Sequence, residues 1–168
     1  MTPESLSTLL LPKQPWCVRT ALSASDLTDR MWSFQRAHPD TVVRFLRGDK
    51  MQSVQGLYDE FAAALQFPYY FGNNAGAFDE CLADLSWLPG KTYVLAIFNS
   101  DLLLATEPNQ LPLFIAAFER ISSEWSVPIA RGETWDRPAV PFHLIFQYGP
   151  ERMRRLPSKI AAMPNLTK

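Results

Sequence analysis

Apolar positions along the chain recur with two different periods, and the places where the period changes predict its elements. Thr41 to Leu46 (TVVRFL) is apolar and β-branched, and Arg47-Gly48-Asp49 ends it, which predicts a strand. Val54, Leu57, Tyr58, Phe61, Ala64 and Leu65 then recur at helical spacing, predicting a helix from about Ser53 to Gln66. Thr92 to Phe98 (TYVLAIF) is apolar on both faces, the pattern of a central strand in a parallel sheet. Pro112 suits the first turn of a further helix whose buried side would be Phe114, Ala117, Phe118, Ile121 and Trp125, and Pro128 prevents its continuation. After a polar, proline-containing loop from Arg131 to Pro141, Phe142 to Gln147 (FHLIFQ) reads as a last strand.

Upstream of these, residues 1–15 hold three prolines and no sustained period, which predicts an extended arm. Trp16 to Ala21 reads as a short strand. Ser23 and Asp26 have the spacing of a capping box, so a helix from about Asp26 to Ala37 follows, stopped by His38-Pro39. About 45 residues lie between the strand at Thr41 and that at Thr92, and about 43 between the latter and Phe142. Both gaps carry helices, as parallel neighbours require. The pattern therefore predicts an α/β fold: a small parallel sheet packed with helices, joined by right-handed crossovers, with a fourth strand added at one edge by the N-terminal strand-helix. No repeat, low-complexity segment or linker divides the 168 residues, so one domain is expected. It would have an extension at 1–40, a core at 41–147 and a basic tail at 148–168, either docked as a short helix or frayed.

The stretch from Phe67 to Leu88, FPYYFGNNAGAFDECLADLSWL, departs from this plain alternation. An aromatic turn (Phe67 to Phe71) and a Gly72-Asn73-Asn74 hinge lead into an amphipathic helix. At about 100° per residue, Asn74, Phe78, Cys81, Leu82 and Leu85 share one side. The opposite side holds Gly76, Asp79, Glu80, Ala83 and Trp87, with Asp84 on its flank. Three carboxylates, no cation and a tryptophan on an outward face suit a docking surface; a plain solvated face is the alternative. A proline turn cannot bury Tyr69, Tyr70 and Phe71 together, so at least one should lie outside.

Charge sharpens this picture. The formal net charge is −1, but it is unevenly spread. Residues 1–50 carry a net +2, residues 51–119 a net −7 with Lys91 their one cation, and residues 120–168 a net +4. An acidic middle is a poor footprint for nucleic acid and a good one for a basic protein partner. Cys17 and Cys81 sit amid apolar neighbours and read as reduced core thiols. No phosphate-binding glycine loop, H-E-x-x-H, CxxC or G-x-S-x-G occurs, so neither a cofactor nor a metal is expected. His38 reads as a helix terminator with an exposed ring and His143 as a hydrogen-bonded strand histidine, so no catalytic residues are expected. Asp79 and Glu80, adjacent on a helix, point about 100° apart and make a poor acid–base pair. No apolar run approaches a membrane span, and the N-terminal run Leu9-Leu10-Leu11 lacks a charged region before it. A cytoplasmic protein is expected.

The stretch FPYYFGNNAGAFDECLADLSWL resembles the barstar family, with its proline and tyrosines, aromatic-Gly-x-Asn hinge and acidic helix carrying Cys-Leu. The likeness runs from about Thr41 to Gln147, through FAAALQF before the motif, WLP-x-x-x-Y-V-L after it, and the late strand PFHLI. It implies an intracellular, non-enzymatic inhibitor of a secreted ribonuclease, in which the acidic helix and the tyrosine loop plug a cationic active site. That family's complex with barnase is itself a standard example of a carboxylate hot spot. The physical sense is that a carboxylate on a rigid helix mimics phosphate in such a hollow.

By position, the resemblance makes Glu80 the dominant carboxylate, Tyr70 the interfacial tyrosine and Asn74 the asparagine that opens the helix. Tyr70, Asn73, Asn74, Gly76, Asp79, Glu80, Ala83, Asp84 and Trp87 are the candidate partner-binding residues. Asp79 and Asp84 would steer association, while Tyr70 and Trp87 would supply apolar area. Four departures alter the surface. Gly76 stands where the family namesake has an interfacial aspartate, Asp79 replaces a tryptophan, Glu80 is one methylene longer than aspartate, and Arg120 stands where another interfacial acid is aligned. The expected partner is a basic toxin, most simply a ribonuclease bound one to one, with no direct contact to nucleic acid or membrane. A DNase or nucleotide-modifying toxin is the alternative target. A hydrolase or RNA-binding enzyme would need a cationic groove, or a histidine or metal centre, that the middle of the chain lacks.

Overall fold

In the computed structural model, which describes residues 6–166, four strands form a single parallel sheet in the order β1-β4-β3-β2. The strands are β1 (Cys17–Thr20), β2 (Thr41–Arg47), β3 (Thr92–Phe98) and β4 (Phe142–Gln147). The longer helices are α1 (Ala24–Ala37), α2 (Val54–Leu65), α3 (Ala75–Asp84) and α4 (Leu111–Trp125), and a short α5 (Ser158–Ala161) lies in the tail. The N-terminal strand does add the fourth, edge position, pairing Cys17 with Leu144 and Thr20 with Gln147.

The period of two in the strands decides where each layer packs. On β3, Tyr93, Leu95 and Ile97 join one core cluster with Leu57, Phe61, Phe78, Leu82, Phe118 and Trp125 from α2, α3 and α4. Val94 and Ala96 point the other way, to a second cluster with Leu27, Met31 and Phe34 of α1. Both faces of β3 are thus dry, which is why its sequence shows no alternation. From β2 to β4 the chain steps one way across the sheet beneath α2–α4; from β1 to β2 it steps back with α1 on the opposite face. All the crossovers therefore share one hand.

Caps set the ends of the helices. Ser23 is the N-cap of α1, its Oγ accepting from the Asp26 N–H at 3.0 Å, so the helix starts at Ala24, two residues before the expected start. Ser53 caps α2 through the Gly56 N–H at 3.2 Å, and Gln66 closes that helix in the left-handed conformation. In place of the extended arm expected for residues 1–15, Thr8–Leu10 form a 3₁₀ turn that buries Leu9; the first five residues of that arm lie outside those described. His143, buried in β4, holds this turn, with its ring nitrogens 3.1 and 3.0 Å from the carbonyl oxygens of Pro15 and Leu11. His38 is half-buried against Phe34 at 4.9 Å, where an exposed ring was expected. The basic tail is docked: Leu156, Ile160 and Leu166 are buried, and Arg19 bonds to Pro164 and Leu166 through its backbone.

An ion pair between buried Glu60 and exposed Arg47 fixes the end of edge strand β2. Glu60 of α2 is 7% exposed and accepts from Arg47 at Nε (2.8 Å), Nη2 (2.8 Å) and the backbone N–H (3.0 Å). The Arg47 guanidinium holds the Glu60 carboxyl below its usual range. A depressed carboxyl contributes stability that is full above the ordinary pKa of about 4 and lost as pH falls through the folded-state value. The melting temperature should therefore fall on acidification, and Glu60→Gln should flatten that dependence. Because Arg47 is largely solvated, Glu60→Ala should cost about 1–2 kcal/mol by denaturant titration.

Candidate functional site

The loop from Gln66 to Asn74 is fixed by the side chains it buries. Phe67 and Phe71 meet edge-to-face at 5.1 Å, and Phe71 lies 6.1 Å from Tyr58. Both pack on the main core, leaving Tyr69 fully exposed and Tyr70 67% exposed, ring to ring at 5.6 Å. Two of the three aromatics are thus outside. Asn73 takes φ of 49°, a left-handed conformation that asparagine tolerates, and its Oδ1 accepts from Gln55 at 3.3 Å.

Asn74 is the N-cap of α3: its Oδ1 accepts from the Ala77 N–H at 3.0 Å and its Nδ2 donates to the Gly72 carbonyl at 3.2 Å. It is exposed, whereas helical spacing placed it on the buried side; at the cap its side chain turns back over the first turn and does not follow the helix wheel. Phe78, Cys81, Leu82 and Leu85 are buried as expected. Gly76, Glu80, Ala83 and Asp84 are exposed. Above Gly76 a Cβ would meet only Asn74 Oδ1, at 3.4 Å, so the surface has a notch there.

Trp87 corrects the sequence reading. Helical spacing places it on the outward face, but α3 ends at Asp84 because Leu85 takes φ of 45° and reverses the chain. Trp87 then turns inward, half-buried, with its indole N–H donating to the Leu65 carbonyl at 2.9 Å and its ring 6.2 Å from Phe67. It braces α3 against the end of α2 and takes no place on the ridge.

Arg120 of α4 reaches across to α3, where it pairs with Asp79 at 2.5 Å and with Glu124 at 2.8 Å. Asp79 is half-buried and paired, but Arg120 is shared between two carboxylates, so the Asp79–Arg120–Glu124 group keeps a net charge of −1. Among the described residues, no ion pair involves Glu80 or Asp84. These two are the ridge's unpaired carboxylates. Burial pushes the Cys81 thiol beneath them upward, and the nearby Asp84 and Glu80 charges add to it, so a thiolate nucleophile is disfavoured. Cys17 is likewise buried and pushed upward. No group of three or more potential metal ligands occurs among the described residues, and no described helix is long and apolar enough to cross a membrane.

The ridge is rigidly mounted. Trp125, buried in α4, donates its indole N–H to the carbonyl of Leu82 near the end of α3 at 3.0 Å. Arg137 stacks over that indole at 4.2 Å and donates to the carbonyls of Glu124, Trp125 and Val127, capping α4. Sequence reading missed both roles, because hydrogen bonds between residues far apart leave no periodic trace.

The fold is a parallel α/β layer that presents a helix with two unpaired carboxylates, Glu80 and Asp84, beside exposed tyrosines. Residues 41–147 match the family model described as Barstar (barnase inhibitor), and the chain belongs to the barstar family. That is a family of ribonuclease inhibitors rather than enzymes. No curated protein matches the chain.

Proposed function

We propose that this chain is a stoichiometric, non-enzymatic inhibitor that protects its producing cell, from the cytoplasm, against a toxic nuclease, most simply a ribonuclease. The observation that carries the reading is the pair of exposed, unpartnered carboxylates Glu80 and Asp84 on a helix fixed at both ends. Glu80 is the anchor that enters the cationic phosphate site, and Asp84 steers encounter. Tyr70, with Tyr69 beside it, supplies apolar area, while Asn73, Asn74, Gly76 and Ala83 shape the contact. Family membership supports an inhibitor of ribonuclease; the immunity role and the basic, one-to-one partner are inferred from charge and shape. Specific carboxylate insertion needs no metal, cofactor or catalytic group on this chain.

A second reading keeps the surface and changes the target to a DNase or nucleotide-modifying toxin. Its support is the loss of acids that the resemblance places at Gly76 and Arg120, and the pairing of Asp79 with Arg120. Both readings are tested by titrating the purified chain into barnase, into any nuclease or nucleotide-modifying enzyme encoded beside it, and into a DNase. Loss of ribonuclease activity in a straight line to zero at one equivalent is the expected result. Inhibition of the DNase alone would select the second reading, and inhibition of none would reject both.

A further inference from the structure

Past Glu80 and Asp84 the ridge borders a cleft of about 890 Å³, walled on one side by the end of α3 and on the other by the loop between α4 and β4. Sequence reading took that loop as a connector, but it is a built hairpin. Ile129 and Arg137 exchange backbone hydrogen bonds of 2.9 and 3.0 Å, and the Asp136 carboxylate accepts from the N–H groups of Arg131 (3.0 Å) and Gly132 (2.8 Å). Those bonds hold the Asp136 carboxyl below its usual range. Gly132 takes φ of 80°, the left-handed region, at the tip. Arg137 pins the hairpin's base to Trp125, and Trp125 is tied to α3. The two walls are therefore fixed relative to one another.

Charge and apolarity in the cleft select its occupant. Its two cations are committed, Lys91 to Asp40 at 2.6 Å and Arg137 to α4 and its own indole platform. Among the described residues, Arg137 forms no ion pair and keeps its charge, but its guanidinium is turned onto backbone carbonyls and the Trp125 ring. The cleft's carboxylates without an ion-pair partner among those residues are Glu80 and Asp84. The facing loop lifts Trp135 into solvent, 63% exposed on a backbone that several hydrogen bonds hold in place. A large aromatic held ready on a rigid loop loses little entropy on binding, and tryptophan is enriched among interfacial hot spots. The volume lies within the ~300–1,000 Å³ of ordinary ligand sites.

We propose that this cleft is a second arm of the inhibitory surface, taking from the protein partner a segment in which an arginine or lysine is flanked by an apolar side chain. The cation lies against Glu80 and Asp84, and the apolar group packs on Trp135. The inference rests on the inhibitor reading for the identity of the partner, but the chemistry of the cleft is testable apart from it.

The test titrates isotope-labelled protein with benzamidine, a cation on an apolar ring, and with uncharged benzamide, following backbone amide and indole N–H signals by NMR. Benzamidine should move the Trp135 indole and the Ala83 and Asp84 amides saturably, with benzamide at least about tenfold weaker. Trp135→Ala and, separately, Asp84→Asn should each weaken benzamidine about tenfold. Absence of saturable shifts in the cleft, or equal binding of the two probes, would overturn the proposal. In parallel, Trp135→Ala should raise the inhibition constant for the ribonuclease that the wild type blocks. Wild-type inhibition with an unchanged constant for Trp135→Ala would remove the cleft from the interface while leaving the inhibitor reading intact. Benzamidine binding with no nuclease inhibited would do the reverse.

Discussion

Glu80→Ala is expected to weaken the complex with the inhibited nuclease by at least ~2 kcal/mol, roughly 30-fold, while leaving the fold as stable as before. Glu80 is exposed and has no ion-pair partner among the described residues, so its removal takes nothing from the core. Surface substitutions of that kind stay within about 0.5 kcal/mol in stability. In the complex the same carboxylate would be desolvated among cations, where deletion leaves those charges uncompensated. The loss should appear mainly as faster dissociation. Asp84→Asn should act differently, as a charge at the rim. It should slow association and reduce its dependence on salt, because exposed charges act over a Debye length of about 8 Å at physiological ionic strength. Surface plasmon resonance with denaturation of each variant separates the two effects. Equal affinities for wild type and Glu80→Ala would contradict the anchor role.

Trp125→Ala is expected to damage the fold more than Glu60→Ala or any change on the acidic ridge, costing about 3–5 kcal/mol. The indole packs against Tyr93 at 5.5 Å and Phe142 at 6.3 Å, so its loss opens a cavity in the main core. The Leu82 carbonyl loses its donor, and Arg137 loses the ring on which it lies. Against a total stability of about 5–15 kcal/mol, that is a large share. Trp125→Phe keeps most of the volume and should cost about half as much, dominated by the unmade hydrogen bond. A shift of the urea midpoint with an unchanged slope would register the loss as pure stability. A cost below ~1 kcal/mol would mean that α3 is not held from below by this indole.

The layered architecture was legible in the sequence because burial on both faces leaves uninterrupted apolar runs. The strands at Thr41, Thr92 and Phe142 and the helix α4 stand where the periodicity places them. The family likeness lies in the same span, 41–147, and the family model covers it. The edge strand β1 was readable from Pro15 and the capping spacing of Ser23 and Asp26. Trp87 was misread because a helical wheel assumes that the helix continues, and nothing in ADLSW marks Leu85 as a left-handed cap. The Asp79–Arg120 pair joins residues 41 apart and depends on the packing of α3 against α4, which no local pattern encodes. The hairpin carrying Trp135 looked like a polar connector because backbone bonds to Asp136 hold it, not an apolar periodicity. The glycine, the aspartate and the exposed tryptophan of RGETWDRP were its only local sign.

On the proposed reading, the fold alters which side chains of the acidic surface make contact more than where that surface lies. The pairing of Asp79 with Arg120 leaves Glu80 and Asp84 as the unpaired carboxylates, and the inward turn of Trp87 would leave the apolar contribution to Tyr69 and Tyr70. The surface is a narrow ridge on a braced helix. Such preorganisation limits the entropy lost on binding.

On the proposed reading, this ridge occupies the phosphate site of a ribonuclease. That occupancy is tested most directly by measuring the affinity of the chain for that ribonuclease while a mononucleotide fills the same site. If ridge and nucleotide compete, the apparent Kd rises in proportion to nucleotide concentration once the site saturates, and this is the expected result. An apparent Kd unchanged at saturating nucleotide would contradict it.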